Sequence, residues 1–403
     1  MKQGWEIKKL GDVCETGAGG TPLKTHKDYY IGGSIPWLLS GEVSQGEIFE
    51  ARNFITEKGL KNSSAKLFPP NTVLVAMYGA TAGQVGILRF ESSTNQAICG
   101  ILPNGKTIPE FLYYCFLSKK EELVAQAVGG AQPNISQIKI RNTVIPLPPL
   151  PEQQRIVAIL DKTFAAIDKA KANAEQNLRN AKEVFESYLQ GVFEKKMMGW
   201  VEKPLKEITT KIGSGATPTG GQANYKTQGI SLVRSMNVHD WEFRENNLAF
   251  IDEKQAKELD GVTLHDEDVL LNITGASVAR CCVFPKEYLP ARVNQHVSII
   301  RPKKELLNSR FLNLLLTSKP YKDQLLATGE QGATRQAITK SQIEAFRISF
   351  PKLEEQLTIV NQLSFMRAKT QKLELLYQKK IVALEELKKS ILAKAFNGEL
   401  SYD

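Results

Sequence analysis

Residues 100–107 read GILPNGKT. The string fits G-x-x-x-x-G-K-[ST], the loop whose backbone N–H groups cradle the phosphates of a nucleotide. That chemistry needs a strand before the loop and a helix opening at its own Gly-Lys-Thr, so that the helix N-terminus faces the phosphates. Here Pro109 suits a first helical position of PEFLYYCFLSKKEEL, which starts the helix after Lys106 and Thr107. AICGIL reads as the strand itself, with Gly100 inside it. Other chemistry is sparse. His26, His239, His265 and His296 stand far apart without metal-ligand spacing, so no metal site is expected. The five cysteines, Cys14, Cys99, Cys115, Cys281 and Cys282, form no C-x-x-C and are odd in number. They read as reduced thiols of a cytoplasmic protein.

The elements that would have to position a site come next. The chain has 403 residues, 42% hydrophobic and 24% charged, which is globular composition long enough for two or more domains. Lys and Arg outnumber Asp and Glu by 52 to 43, a net charge of +9 that suits a polyanionic partner. MKQGWEIKKLGD lacks an apolar h-region, and no apolar run reaches membrane-spanning length, so neither a secretory signal nor a membrane span is expected.

The chain is written twice. GWEIKKLGDVCETGAGGTP (4–22) parallels GWVEKPLKEITTKIGSGATP (199–218). NTVLVAMYGATAGQVGI (71–87) parallels EDVLLNITGASVARCCV (267–283), and NQAICGILP (95–103) parallels NQHVSIIRP (294–302). FLYYCFLSK (111–119) matches FLNLLLTSK (311–319), PPLPEQQRIVAIL (148–160) matches PKLEEQLTIVNQL (351–363), and SYLQGVF (187–193) matches SILAKAF (390–396). The offset drifts only from 195 to 203, so two halves of about 200 residues form a duplicated domain rather than a solenoid. Gly100 falls opposite Ile299, and the second copy has no phosphate loop.

Within each half, short apolar runs such as TVLVAM and DVLLNI read as strands bounded by Asn, Gly and Pro. EFLYYCFLSKKEELVAQAV reads as one amphipathic helix, and its counterpart must break or kink at Pro320. Segment 152–196 then has no proline and is rich in Ala, Lys, Glu, Gln and Leu, which is helix composition. Its counterpart runs to AFNGEL, where Asn397 and Gly398 make a C-terminal stop. Alternating steps of four and three give a seam of Ile156, Leu160, Ile167, Ala174, Ala181 and Tyr188 on the first helix. On the second they give Ile359, Leu363, Met366, Leu373, Leu384, Leu387 and Ile391. A sustained apolar heptad of this kind predicts a coiled coil. Connectivity makes the pair antiparallel, and about 45 residues at 1.5 Å each reach on the order of 65 Å. The alternative is a long helix packed only on its own domain.

Two similar domains on a fixed spacer suit two separated sites on one duplex, because a rigid spacer fixes the offset between half-sites. Basic and aromatic residues gather in the early loops TPLKTHKDYY and TPTGGQANYKTQG. Lys24, Lys27, Tyr29, Tyr225 and Lys226 are candidates for phosphate or base contact, with Arg52, Lys61, Lys66, Arg234, Arg244 and Arg280 further candidates. Base readers should differ between the halves, as WLLSGEVSQGEI does from LVRSMNVHDWEF; shared strings such as YGATAG and ITGASV read as fold-building.

The ordered set GW…L, GGTP…IPW, NQ, GAQPNIS and IPLPPLPEQQRIVAIL, with the closing SILAKAFNGEL, resembles the specificity subunit of type I restriction–modification systems. The resemblance covers nearly the whole chain; the second helix approach, FPKLEEQ, lacks the double proline, and Leu232 stands where the first half has Trp37. It implies a mixed α/β (α+β) fold with two target-recognition domains, residues 1–150 and 199–352. Two long spacer helices, 151–198 and 353–403, form an antiparallel coiled coil. It also implies that each domain reads one part of a split double-stranded DNA sequence. The helices would dock two methyltransferase (modification) subunits, restriction subunits would join through that core, and this chain would do no chemistry. The sequence agrees in carrying neither N/D-P-P-Y/F nor G-x-G-x-x-G, so no cofactor is expected. Two other readings remain at this point, a coiled-coil adaptor that binds only protein and a nucleotide hydrolase using GILPNGKT.

Overall fold

The computed structural model describes residues 4–126, 134–194, 199–218, 221–330 and 337–400. The motif GAQPNIS therefore lies partly outside the described residues, as does Ala127–Val128 of the first amphipathic segment.

The fold is mixed α/β, built twice on one plan. In the first head, strands Thr16–Ala18, Ile98–Ile101, Val73–Ala76, Val85–Leu88 and Glu47–Ile48 form a five-stranded sheet in that order. The second head repeats its first four strands as Thr209–Ser214, Val297–Pro302, Val269–Asn272 and Cys281–Val283. A smaller sheet sets Ile35–Leu38 between Phe54–Ile55 and the parallel strand Ser92–Thr94, with Leu67–Phe68 beyond. Its counterpart sets Ile230–Val233 between Ala249–Ile251 and the parallel strand Ala291–Val293.

Burial explains why these strands read as unbroken apolar runs rather than alternations: both faces are covered. Val73 and Val75 face the helical side, packing with Leu112, Cys115 and Phe116. Leu74 and Ala76 face the other side, packing with Leu38, Ile48 and Phe68. Gly100 is a strand residue because the Phe68 ring lies over it; a Cβ there would stand 2.6 Å from the ring.

The segment expected as one helix after Pro109 is two, Pro109–Ser118 and Lys120–Ala125, with a break at Lys119. Its counterpart breaks at Ser318, between Ser309–Thr317 and a second helix from Lys319 that takes Pro320 in its first turn.

The long helices span Leu150–Glu194 and Leu353–Phe396. The second stops where Gly398 turns to φ +78° and the Glu399 N–H bonds the Lys394 carbonyl at 2.9 Å. Two compact units result. One comprises Met1–Glu175 with Lys379–Asp403, the other Gln176–Gln378. Each therefore holds one head, the first half of the helix leaving it and the last half of the other helix. In the first unit Lys171 pairs with Glu385 at 2.6 Å and Asp168 with Lys388 at 2.5 Å, rising numbers against falling ones, so the helices are antiparallel. Ile156, Leu160, Phe164 and Ile167 share a core with Leu392 and Ala395. In the second unit Phe185, Leu189 and Phe193 share a core with Ile359, Val360 and Leu363.

The heptad walk holds at its start and then slips. Ile156, Leu160, Ile167, Ala174, Ala181, Ile359 and Leu363 are buried, and Met366, Leu384 and Ile391 are partly so. Tyr188, Leu373 and Leu387, expected on the seam, are instead 40%, 42% and 45% exposed. The inward stripe runs Ile156, Leu160, Phe164, Ile167, Lys171, Ala174, Leu178, Ala181, Phe185, Leu189, Phe193. Ten steps cover 37 residues, or 3.7 per step, so a strict 3.5-residue walk leaves the face after a few turns. On the second helix the same drift turns Glu374 and Lys388 inward in place of Leu373 and Leu387.

Each helix is latched to its head by one buried glutamine. Gln153 accepts from the Ile108 N–H (2.9 Å) and donates to the carbonyls of Lys106 (3.0 Å) and Pro148 (2.9 Å). Gln356 accepts from the Asn308 N–H (2.8 Å) and donates to Leu306 (2.9 Å) and Pro351 (2.8 Å). Both side chains are fully buried. A two-stranded ribbon anchors the same junction, Glu6–Lys9 with Val144–Leu147 and Val201–Pro204 with Arg347–Phe350. The far end of each long helix closes the other head's unit: Phe396 packs on Phe111 at 5.3 Å between ring centres, and Phe193 on Phe311 at 5.6 Å.

Candidate nucleic-acid interface

The apparent phosphate loop has no free cradle. The Lys106 and Thr107 N–H groups both donate to the Asn104 carboxamide (2.7 and 3.1 Å), and the next, Ile108, donates to Gln153. The helix opens at Pro109, beyond the Gly-Lys-Thr. The five thiols are buried and free. Burial pushes Cys99, Cys115 and Cys282 up to about 12, and Cys14 and Cys281 also upward, which removes the thiolate a nucleophile needs. Among the described residues no group of His, Cys, Asp and Glu is placed to hold a metal, and no helix is long and apolar enough to cross a membrane.

What each head does present is a meeting of three loops at one end of its main sheet. In the first head these follow Ala18, Ala76 and Thr94. Gly20 N–H donates to the Thr94 carbonyl (2.9 Å), Gly19 N–H to Ile98 (3.1 Å) and Met77 N–H to Ala97 (2.7 Å). The approach at Gly19 is so close that a Cβ would lie 2.3 Å from the Thr94 carbonyl oxygen. The second head repeats this with Gly215 N–H to Asn294 (3.2 Å) and Ile273 N–H to His296 (3.0 Å), and a Cβ on Gly215 would lie 1.7 Å from the Val293 carbonyl oxygen. At each meeting a threonine hydroxyl donates to a glutamine carboxamide oxygen, Thr21 to Gln96 and Thr217 to Gln295. Sequence reasoning passed over these pairs. Their signal was there as the repeated strings TP and NQ, but nothing in the sequence says the two strings touch.

The basic and aromatic candidates divide by environment. Lys24 and Lys27 are exposed on the loop that follows Thr21; Arg52 and Lys66 are exposed elsewhere in the first head, and Arg280 is half-buried in the second. Tyr29, expected to contact nucleic acid, is instead 8% exposed and stacked on His26 at 4.8 Å; a short 3-10 turn folds its ring inward. Lys61, Lys226 and Arg244 already face carboxylates, Glu57 at 3.1 Å, Asp252 at 3.3 Å and Glu242 at 2.8 Å. Arg234 lies over the half-buried Tyr225 ring (5.4 Å to its centre) and donates to the Asn247 carbonyl, while its Nε is buried without a partner. The structure thus brings Arg234 and Tyr225 together, keeps Lys24 and Lys27 on one exposed loop and buries Tyr29.

Two like heads, each offering polar loops at a sheet end and each clamped to long paired helices, define a duplicated recognition scaffold. The family described as Type I restriction modification DNA specificity domain matches residues 2–177 and again 197–382. The chain belongs to that family. It is 26% identical to the type I restriction enzyme MjaIX specificity subunit of Methanocaldococcus jannaschii, over 98% of this chain and 93% of that protein. It is 24% identical to the EcoKI specificity subunit of Escherichia coli, over 100% and 90%. Among solved structures, a chain from work on complex assembly and conformational transition of the type I R-M system superposes with a TM-score of 0.80 at 22% identity, covering 99% of both chains. The HsdS subunit of Thermoanaerobacter tengcongensis superposes with a TM-score of 0.62 at 20% identity, covering 99% and 98%.

Proposed function

We propose that this chain is the DNA-reading specificity subunit of a type I restriction–modification complex, with one half of a split target read by each head. The observation that carries the reading is the duplication: one strand order built twice, with loops that differ between the copies. A single framework with two loop sets suits two unlike half-sites. Residues 1–150 and 199–352 are the recognition domains in this reading, and 151–198 and 353–403 the spacers that fix the gap. Lys24, Lys27, Arg52, Lys66 and Arg280 supply sequence-independent attraction to phosphates, so affinity falls steeply with salt.

Methylation and cleavage belong to partner subunits in this account, and the assembly works in the cytoplasm. Two modification subunits dock on the long helices. Exposed apolar side chains support a docking role: Val184 and Tyr188 border an open cavity of about 920 Å³ with Met366 in the second unit. Replacing residues 1–150 with the equivalent domain of a relative should change one half-site of the modified sequence and leave the other. A change in both, or in neither, contradicts the assignment.

A further inference from the structure

We infer that the Thr21–Gln96 and Thr217–Gln295 pairs form a duplicated clamp, one per head, for a phosphate oxygen of the DNA backbone. The inference rests on the reading of the chain as a DNA specificity subunit and goes one step past it.

Gln96, Gln295 and Thr217 are exposed and Thr21 is partly so, yet the pair is present in both heads. Its immediate neighbours differ. Tyr78 and Ala97 flank it in the first head, Thr274 and His296 in the second, where the Thr274 hydroxyl bonds His296 Nδ1 at 2.5 Å. Exposed polar groups contribute little to a fold, so the fold alone does not call for keeping them. Two half-sites of different sequence have only the sugar–phosphate backbone in common, and a group kept in both heads fits that common feature.

A hydroxyl donating into the glutamine Oε1 uses one of its two lone pairs and turns the carboxamide nitrogen, with two N–H donors, away from the threonine. Phosphate oxygens only accept. Thr and Gln side chains are among the ordinary phosphate contacts that set register on a duplex without reading it. In the second head one donor reaches His296 Nε2 at 3.2 Å and the other is left for a ligand.

In both heads an asparagine one residue before the glutamine braces the turn, Asn95 accepting from Ala97 N–H (3.2 Å) and Asn294 from His296 N–H (3.0 Å). The close glycine approaches at Gly19 and Gly215 hold the threonine loop against this turn. The donors are therefore fixed before DNA arrives, and little ordering entropy is lost on binding.

The test uses the full chain assembled with its modification subunits, and duplexes of the preferred sequence carrying one neutral methylphosphonate at a time. For the unaltered complex, one backbone position in each half-site should weaken binding about tenfold. Gln96→Ala should weaken binding to every duplex by a similar factor, leave the ratio between preferred and altered sequences unchanged, and lose sensitivity at the first half-site's position only. Gln295→Ala should do the same at the second. Unaltered affinity in both variants would show that the pair only ties loops together and would overturn the clamp alone. Loss confined to one base change would make the pair a base reader and also overturn it. An unaltered complex with no sequence preference would overturn the specificity reading, and the clamp with it. Circular dichroism and the unfolding midpoint of each variant separate these results from misfolding.

Discussion

The glutamine latch makes a quantitative prediction. Gln153→Leu keeps the side-chain volume nearly constant but removes three hydrogen bonds of 2.9, 3.0 and 2.9 Å at a site with no solvent exposure. The Ile108 N–H loses its acceptor, and the Lys106 and Pro148 carbonyls lose a donor. An orphaned buried backbone group costs about 1–3 kcal/mol, more for an N–H than for a carbonyl with a second lone pair. Three such groups, offset by about 1 kcal/mol of added apolar burial, give a net loss of about 3 kcal/mol. At a typical urea slope of about 1–3 kcal/mol per molar, the transition of the affected unit should move down by about 1–3 M. Gln356→Leu should behave alike, because Gln356 makes the same three bonds in the second unit. The exposed neighbour Gln154→Leu is the control and should stay within about 0.5 kcal/mol. A Gln153→Leu loss below about 1 kcal/mol, or equal to that of the control, would refute the claim that this side chain joins helix to head.

Further outcomes follow from the same geometry. Inserting seven residues at equivalent points of both long helices adds about 10 Å of rise, so the tolerated gap in the bound duplex should lengthen by about three base pairs; an unchanged gap contradicts the spacer role. Lys106→Ala should alter neither DNA affinity nor the heat of mixing with ATP, since its loop has no free N–H cradle; loss of a nucleotide-binding signal would reinstate the hydrolase reading. Native protein at pH 8 should react with a thiol reagent only as fast as it unfolds, because all five thiols are buried and three are pushed up to about 12; rapid labelling of any cysteine contradicts this. The hydrogen bond from Lys171 holds the Glu385 carboxyl below its ordinary value of 4.5. A lowered carboxyl supports the helix pair above that pH and loses its effect as pH falls through its folded-state value. Lys171→Gln should therefore flatten the acid limb of the thermal midpoint, and an unchanged limb would show that this pair does not couple the helices.

Much of this architecture could be read from residue order because it is local or repeated. Pro109 marked a helix start and Gly398 a stop through backbone rules that need no tertiary context, whereas the break expected at Pro320 falls at Ser318 and recurs at Lys119 in the copy without a proline there. The doubled strings gave the doubled heads. Reading failed where a long-range contact decides. The strand placement of Gly100 in GILPNGKT was legible, but its cause, the Phe68 ring 32 positions away, was not. The seam drifted because a real helix advances by more than 3.5 residues between inward positions, and small errors accumulate from Ile156 to Tyr188. Tyr29 had the right composition around it but faces inward. The Thr–Gln pairs join loops more than 70 residues apart, so no window of the sequence contains both partners.

The central claim is that two cousin heads read two unlike stretches of one duplex at a fixed separation. The most direct measurement is selection of bound duplexes from a random pool by the chain assembled with its modification subunits. The account predicts two short defined blocks of different sequence, separated by an undefined gap of constant length. A single continuous block, or a gap whose length varies freely, would contradict it.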